Sequence, residues 1–315
     1  MSTALVLDPV FARHPTGAGH PERPERITAI EAALETAGLI ARCMEVQPHP
    51  VAERWLLSNH SEEYLSRLAR ACEMGLPYID SPDSTIGEDS LQVAQLAAGS
   101  AVEVVRRVLQ GEARNGFAAL RPPGHHAEYD CSLGFCLLNN VAIAARYALA
   151  EHGLSRIFIF DWDVHHGNGT QHSFESMSEV FYCSMHAHPA TLFPGTGFAE
   201  ERGQGKGEGY TLNLPLLPGT SGEEAERLLV KHVLPAIASY RPELILLSAG
   251  FDAHIADPIG NQRFSTETFV QFTKRILEAA EGSAGGRVVS LLEGGYDLPA
   301  LAECVSAHVT TLVDC

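Results

Sequence analysis

The sequence predicts an α/β fold around a mainly parallel sheet, and three observations carry that prediction. Short apolar runs alternate with segments of helical spacing along the whole chain. Titratable clusters follow directly on several of the apolar runs, where open parallel sheets present their ligand sites. The chain is 315 residues long and 45% hydrophobic, enough for a large core, and no repeat, low-complexity tract or long linker divides it. A single domain over residues 1–315 is therefore expected.

The strand-like runs are Ala4–Leu7, Phe117–Leu120, Ile157–Phe160, Val180–Cys183, Leu244–Leu247 and Val288–Leu292. They are nearly uninterrupted apolar segments, as strands buried on both faces require. Pro24–Ala37, Ser61–Met74, Ser90–Gln110, Asn139–Glu151, Gly222–Ser239 and Ser265–Glu281 have helical spacing or helix-favouring composition. Gly195–Gly209 holds six glycines and reads as a mobile surface loop before a further strand, Tyr210–Leu214.

Composition narrows the function. The formal net charge of −17 argues against nonspecific nucleic-acid binding and favours cationic substrates, although from charge alone plain acidic solubility is the preferred explanation. No apolar run approaches the roughly 20 residues that cross a bilayer. Met1–Leu7 carries no basic leader followed by an apolar stretch. The seven cysteines, at 43, 72, 131, 136, 183, 304 and 315, lack CxxC spacing. A reduced, cytoplasmic protein is expected rather than a disulfide framework or a thiolate zinc site.

The stretch Asp161-Trp162-Asp163-Val164-His165-His166-Gly167-Asn168-Gly169 ends the run Ile157–Phe160. In extended backbone Asp161, Asp163 and His165 project from one face, and carboxylates with imidazole suit a metal. Asp252, which follows Leu244–Leu247 through Ser248-Ala249-Gly250-Phe251, is the third candidate ligand, because an unpaired carboxylate there would be costly. A metal so held lowers the pKa of bound water and polarises a carbonyl, which suits amide hydrolysis. His125-His126, after Phe117–Leu120 and Arg121-Pro122-Pro123-Gly124, offer a general base and a second proton donor or electrostatic partner. Tyr296, after Glu293-Gly294-Gly295, offers a phenol on a side-chain-free turn as an oxyanion donor. Each alone has an ordinary structural explanation: a surface loop, a turn, a helix cap, a packed tyrosine. At successive strand ends they favour a metal hydrolase.

Arg121–Ala127, Gly134-Phe135-Cys136, Asn139-Asn140, Asp161–Gln171, Phe193–Gly197, Ala249–Asp252 and Glu293–Tyr296 together resemble the histone deacetylase family, in the family's order from His20-Pro21-Glu22 to Tyr296. The wording is closest to the class II branch and to related bacterial amidohydrolases and acetylpolyamine deacetylases. The resemblance implies an arginase-like α/β/α fold in three layers with an eight-stranded parallel sheet, a zinc ion (ferrous iron as the alternative) and hydrolytic N-deacetylation.

Carried across residue by residue, it implies Asp163, His165 and Asp252 as metal ligands and His126 as general base. His125 becomes its electrostatic or acid partner, and Tyr296 the residue that polarises the acetyl carbonyl. Asp161 falls beside His125 and Asn168 beside His126, with Asn168 neutral where other branches carry Asp. Phe135 and Phe193 match the aromatic walls of an acyl-lysine tunnel. The Gly134 carbonyl would accept from the substrate amide. Asp83, in the loop before the Ser90 helix, matches a rim residue that holds the peptide backbone, with Asp80 as its rival. Asp161 and Ser184 match a structural potassium site, and Tyr210 a second.

Two departures bear on substrate. Ile259 stands where one polyamine-selective branch has an acid, and Asn261-Gln262-Arg263 replaces a glycine-rich segment. The substrate expected is therefore acetylated lysine in proteins or peptides, with acetylated polyamines as the alternative. An idle acyl-lysine-binding module and an arginase-type dimanganese hydrolase are further readings; the first is disfavoured by Tyr296, the second by the single ligand set.

Overall fold

The computed structural model describes residues 2–315. In chain order its strands are β1 (Thr3–Val6), β2 (Met44–Glu45), β3 (Tyr78–Ile79), β4 (Ser81–Thr85), β5 (Asn115–Ala118), β6 (Ile157–Asp161), β7 (Val180–Ala187), β8 (Thr211–Leu216), β9 (Leu244–Ala249) and β10 (Val288–Leu292). Eight of them form one sheet in the order β2-β1-β5-β10-β9-β6-β7-β8, and every neighbouring pair is parallel. The other two, β3 and β4, form an antiparallel hairpin.

The helices are α1 (Glu25–Thr36), α2 (Glu53–Leu57), α3 (Glu62–Glu73), α4 (Ser90–Leu109), α5 (Asn140–His152), α6 (Asn168–Phe174), α7 (Gly222–Leu228), α8 (Leu234–Tyr240), α9 (Thr266–Ser283) and α10 (Leu298–Asp314). They pack in two groups: α1, α10, α9 and α8 in a row, and α3, α4, α5 and α6 in another. With the sheet between them this is a three-layer α/β/α architecture. Strands β5, β6, β9 and β10 are buried at every residue, which is why their sequences are mostly apolar, with Asn115, Asp161, Ser248 and Ser290 as the polar exceptions. Among the described residues no helix is long and apolar enough to cross a membrane.

Two local expectations are corrected. Gly222–Ser239 is α7 and α8 joined by a π-helical turn at Leu229–Val233. Pro235 lacks the N–H that would bond back one turn, so the helix widens before it. Asp83 lies in β4, in the hairpin rather than a loop. Helices α2, α6 and α10 and strand β2 had no expectation at all. The start of α6 is Asn168-Gly169, which reads locally as a loop; contacts hold it helical, including Thr170 N–H donating to the His125 carbonyl at 3.1 Å.

The consequence for function lies in the strand order. The five strands whose ends carry polar clusters, β5, β10, β9, β6 and β7, are consecutive in the sheet. At about 4.8 Å per strand, clusters as distant in the chain as His125 and Tyr296 meet at one rim.

Candidate active site and metal centre

Extended backbone stops at Asp161, so the three residues of the opening motif do not share one strand face. Asp161 Oδ1 accepts the Asp163 N–H at 3.1 Å, and Asp163 Oδ1 accepts the His165 N–H at 2.8 Å. These are two successive turns closed by aspartate side chains on the backbone two residues on. They split the motif. Asp161 Oδ2 is 3.0 Å from His125 Nδ1, while Asp163 and His165 turn toward Asp252.

His165 Nδ1 sits 3.0 Å from Asp163 Oδ1 and 3.1 Å from Asp252 Oδ2. The remaining carboxylate oxygens are tied down: Asp163 Oδ2 accepts the Gly294 N–H at 2.8 Å, and Asp252 Oδ1 accepts the Val164 N–H at 2.8 Å. Both acids are completely buried. Two buried carboxylates around one ring nitrogen demand a positive charge. Burial disfavours the His165 imidazolium, but the two carboxylates outweigh it and push its pKa to about 10. Burial and the Asp163 charge push Asp252 up to about 7; against burial, His125 and His165 hold Asp163 below the usual range.

The donor set, one imidazole and two carboxylates with ligand atoms within 4.8 Å of one another, fits a divalent cation such as zinc or ferrous iron. Glycines keep the cradle open. A Cβ at Gly250 would fall on the Asp163 carboxylate, and one at Gly294 on the Asp252 carboxylate. A second buried cluster, His125, Cys136 and Glu293, lies equally close. Its acid is already used: Glu293 Oε2 accepts from Gly124 N–H (2.7 Å) and His125 N–H (3.2 Å), and Oε1 from the Ser248 hydroxyl (3.1 Å). Burial also keeps the Cys136 thiol protonated.

The histidine pair is sorted by its surroundings. Burial opposes charge on His125, yet Asp161, Asp163 and Glu293 raise its pKa to about 10. A cation among the ligands would weaken the pull of Asp163. His126 goes the other way: burial, His125 and His165 hold it well below the ordinary histidine value, so it is neutral. Its Nδ1 lies 2.7 Å from Asn168 Oδ1.

Tyr296 stays a phenol, because burial and the charges of Asp252 and Asp163 raise its pKa well above 10. The turn that carries it is pinned, not flexible. Arg26 donates to the carbonyls of Gly295 (2.7 Å) and Glu293 (2.5 Å), its guanidinium lies 5.2 Å from the Tyr296 ring centre, and Asp257 accepts the Tyr296 N–H at 2.7 Å.

A cavity of about 240 Å³ leads to these groups, lined by Asp83, His126, Gly134, Phe135, His165, Phe193, Ile259 and Tyr296. Phe193 packs edge-on to His126 at 5.1 Å, and Phe135 edge-on to Tyr296 at 5.9 Å and to His20 at 4.7 Å. Gly134 and Phe135 both have positive φ, +54° and +68°. At Gly134 a side chain would meet the His126 ring and come within 2.9 Å of Phe193. The Gly134 carbonyl accepts from the Cys136 thiol at 3.3 Å and retains a second lone pair. Asp83 Oδ1 is buried in the cavity wall without a partner. Asp80 is committed elsewhere, to Arg67 at 3.0 Å and the Ser132 N–H at 2.9 Å. Ser184 pairs in register with Asp161 on the neighbouring strand, and its hydroxyl contacts His186 Nδ1 at 2.7 Å. Tyr210 lies far from this rim, in a cleft of about 650 Å³ beside Arg156, Phe181 and Tyr240.

Several residues had no assignment from sequence. Glu293 was legible by the same rule as Asp252, an acid directly after an apolar strand. Asp257, Tyr182 (whose hydroxyl donates to Asp161 Oδ2 at 3.2 Å) and the buried Glu22–Arg26–Arg121 group had no local signal.

Comparison with known proteins identifies the family. Residues 20–312 match the histone deacetylase domain. The chain is 38% identical to a histone deacetylase-like amidohydrolase of Pseudomonas aeruginosa, over 96% of this chain and 79% of that protein. It is 39% identical to the human polyamine deacetylase HDAC10, over 93% of this chain and 44% of that longer protein. The crystal structure of the HDA15 HD domain superposes with a TM-score of 0.95 at 35% identity, covering 100% of this chain and 90% of that one. This chain belongs to the histone deacetylase family and is a hydrolytic deacetylase.

Proposed function

We propose that the protein removes acetyl groups from the ε-amine of lysine in proteins or peptides. The observation that carries this reading is the cavity. Its walls are apolar and aromatic (Phe135, Phe193, Ile259), and its floor brings His126, His165 and Tyr296 together. A flat methylene chain fits such walls, while the amide carbonyl reaches the polar floor.

When bound by Asp163, His165 and Asp252, a divalent cation supplies Lewis acidity toward the carbonyl and acidifies water. The Tyr296 hydroxyl donates to the carbonyl oxygen and follows it as negative charge develops. Neutral His126 takes the proton from the attacking water, and a histidine of the pair returns a proton to the departing amine. Asp161 orients His125, and Asn168 orients His126. Asp83 holds the backbone beside the tunnel and the Gly134 carbonyl receives the substrate amide. Asp161 and Ser184 would hold a structural potassium ion. Residues 1–315 act as one catalytic domain in a reducing, cytoplasmic setting, as seven cysteines free of disulfides suit.

The alternative is an acetylpolyamine or other small acylated amine. The net charge of −17 and the similarity to a polyamine deacetylase favour it; the apolar Ile259 at the cavity wall does not. Parallel kinetics on an acetyl-lysine peptide and on acetylated putrescine and spermidine, with metal analysis, decide between them. A higher kcat/KM on the peptide is expected; a preference for the polyamines by tenfold or more overturns the protein-lysine reading. Asp252→Ala should lose metal and activity together, and full metal occupancy in that variant would refute the ligand set.

A further inference from the structure

Asn168 faces His126 with one end and an acid with the other. Its Oδ1 lies 2.7 Å from His126 Nδ1, and its Nδ2 donates to Glu128 Oε1 at 2.5 Å and, at the longer distance of 3.4 Å, to the His126 carbonyl. An amide by itself is indifferent, because its two ends have nearly the same size and either can face a ring. A carboxylate is not indifferent, since it only accepts. Glu128 therefore admits only the NH₂ end, which leaves the amide oxygen toward His126. That oxygen also only accepts, so His126 must carry its hydrogen on Nδ1.

Glu128 is itself held on every side. Its N–H donates to the Cys131 carbonyl at 2.9 Å, and its carbonyl lies 2.7 Å from His60 Nδ1. His60 Nε2 in turn accepts the N–H of Asn139, the residue that caps α5. On the outer side His172, from the same short helix as Asn168, approaches both carboxylate oxygens at 2.9 and 3.0 Å. The Glu128 side chain is 18% exposed and His172 45%, so the acid stands between the buried histidine and solvent. The pKa of His172 is raised, mainly by its bond to Glu128.

We propose that Glu128 is a positioning residue for the general base: through Asn168 it fixes His126 in the tautomer protonated at Nδ1, leaving Nε2 free to accept a proton in the cavity. The inference rests on His126 being the base. It adds a carboxylate beyond Asn168 that gives a neutral asparagine the directing power of an acid without placing a charge on the ring.

The test reads the tautomer directly, by long-range ¹H–¹⁵N NMR of protein with ¹⁵N-labelled histidine, metal-free and zinc-loaded, with His126 assigned by its loss in His126→Gln. The wild type should show Nδ1–H in both samples. Glu128→Gln, whose amide can donate as well as accept, should show both tautomers and about a tenfold lower kcat on an acetyl-lysine peptide at unchanged KM. Glu128→Gln/Asn168→Asp should restore the single tautomer and most of kcat, because aspartate accepts at either end. An Nε2–H tautomer in the wild type, or a Glu128→Gln variant with the tautomer unchanged, overturns the proposal. An Nε2–H wild-type spectrum overturns the proposal even if the variant does not fold. Because that spectrum needs no substrate, a protein inactive on acetylated amines would sink the deacetylase reading and leave this one to be judged separately.

Discussion

His125 and His126 are neighbours in the chain, with ring centres 4.0 Å apart, yet their surroundings push them in opposite directions. Three carboxylates favour the imidazolium of His125, while burial and two cationic neighbours keep His126 neutral. Identical side chains thus fall into an acid-like and a base-like state, the division that proton traffic across an amide requires. Tyr296 is sorted the same way, into a permanent donor. Replacing it with Phe removes that donor with little change of volume, so kcat should fall by about 10²–10³, checked by steady-state kinetics on an acetyl-lysine peptide. Turnover near wild type would remove the phenol from the reaction. At this scale sequence was most legible where chemistry was out of place. Asp163, Asp252 and Glu293 follow apolar strands, and charge there needs a reason. Phe193 gave no such signal, because a phenylalanine reads as core; it is in fact 41% exposed at the cavity wall. Only the family resemblance singled it out.

The elements explain why the proposed ligands converge. Strand ends deliver them, and two tight turns after β6 then aim Asp161 one way and Asp163 the other. The periodicity of an extended strand expects all three residues of the motif on one face. It fails because an aspartate's own side chain competes for the backbone N–H groups two residues on. The buried strands were readable for the converse reason: a uniformly apolar run has few other uses. Strand β2 and the hairpin β3–β4 were not: β2 and β3 have two residues each, β4 (Ser-Pro-Asp-Ser-Thr) has no apolar run, and β2 is held by the distant β1. Glycine placement at the ends of β9 and β10 gives a prediction at this scale. Gly250→Ala would drive a methyl group into the Asp163 carboxylate. Metal affinity should drop about 10–100-fold, measured by titration of the folded apoprotein with zinc. Unchanged affinity would show that the carboxylate can move aside.

Across the whole molecule, one buried charge network ties the chain's beginning to the site. Glu22 pairs with Arg121, which also donates to the carbonyls of Phe11 and His14, and with Arg26 at 3.1 Å, which holds the Tyr296 turn. Burial would raise the Glu22 pKa, but the two guanidiniums dominate and lower it to about 2 from 4.5. A depressed carboxylate stabilises the fold above its unfolded pKa and loses that contribution as pH falls through 4.5 toward 2. The amount is of order 3 kcal/mol. Urea titrations between pH 5 and 3 should show this loss. Glu22→Gln should flatten the slope and cost about 3–5 kcal/mol at pH 7, because Arg121 is left buried and unpaired. A slope unchanged by the substitution would assign the acid sensitivity elsewhere. A metal bound at the proposed ligands would act on the same global balance. Since the ligands meet only in the folded chain, chelation from a concentration 100 times Kd should remove about 2.7 kcal/mol. At this chain size that lowers Tm by roughly 5 °C, readable by calorimetry. No change on chelation would mean that the ligand cluster does not bind metal.

The last strand in the chain, β10, occupies the middle of the sheet, between β5 and β9. A polypeptide growing from its N-terminus therefore makes both flanks of this sheet before the piece that joins them. Until residues 288–296 emerge, β5 has no β9-side neighbour, Asp163 lacks the Gly294 amide, and Tyr296 does not exist. Synthesis at about 5–20 residues per second leaves the two flanks apart for seconds after β9 has been made. With Tyr296 and the Gly294 amide in their proposed roles, the reaction is thus timed by translation: hydrolytic competence waits for residues 288–296 and arrives with them, however much of either flank has already folded.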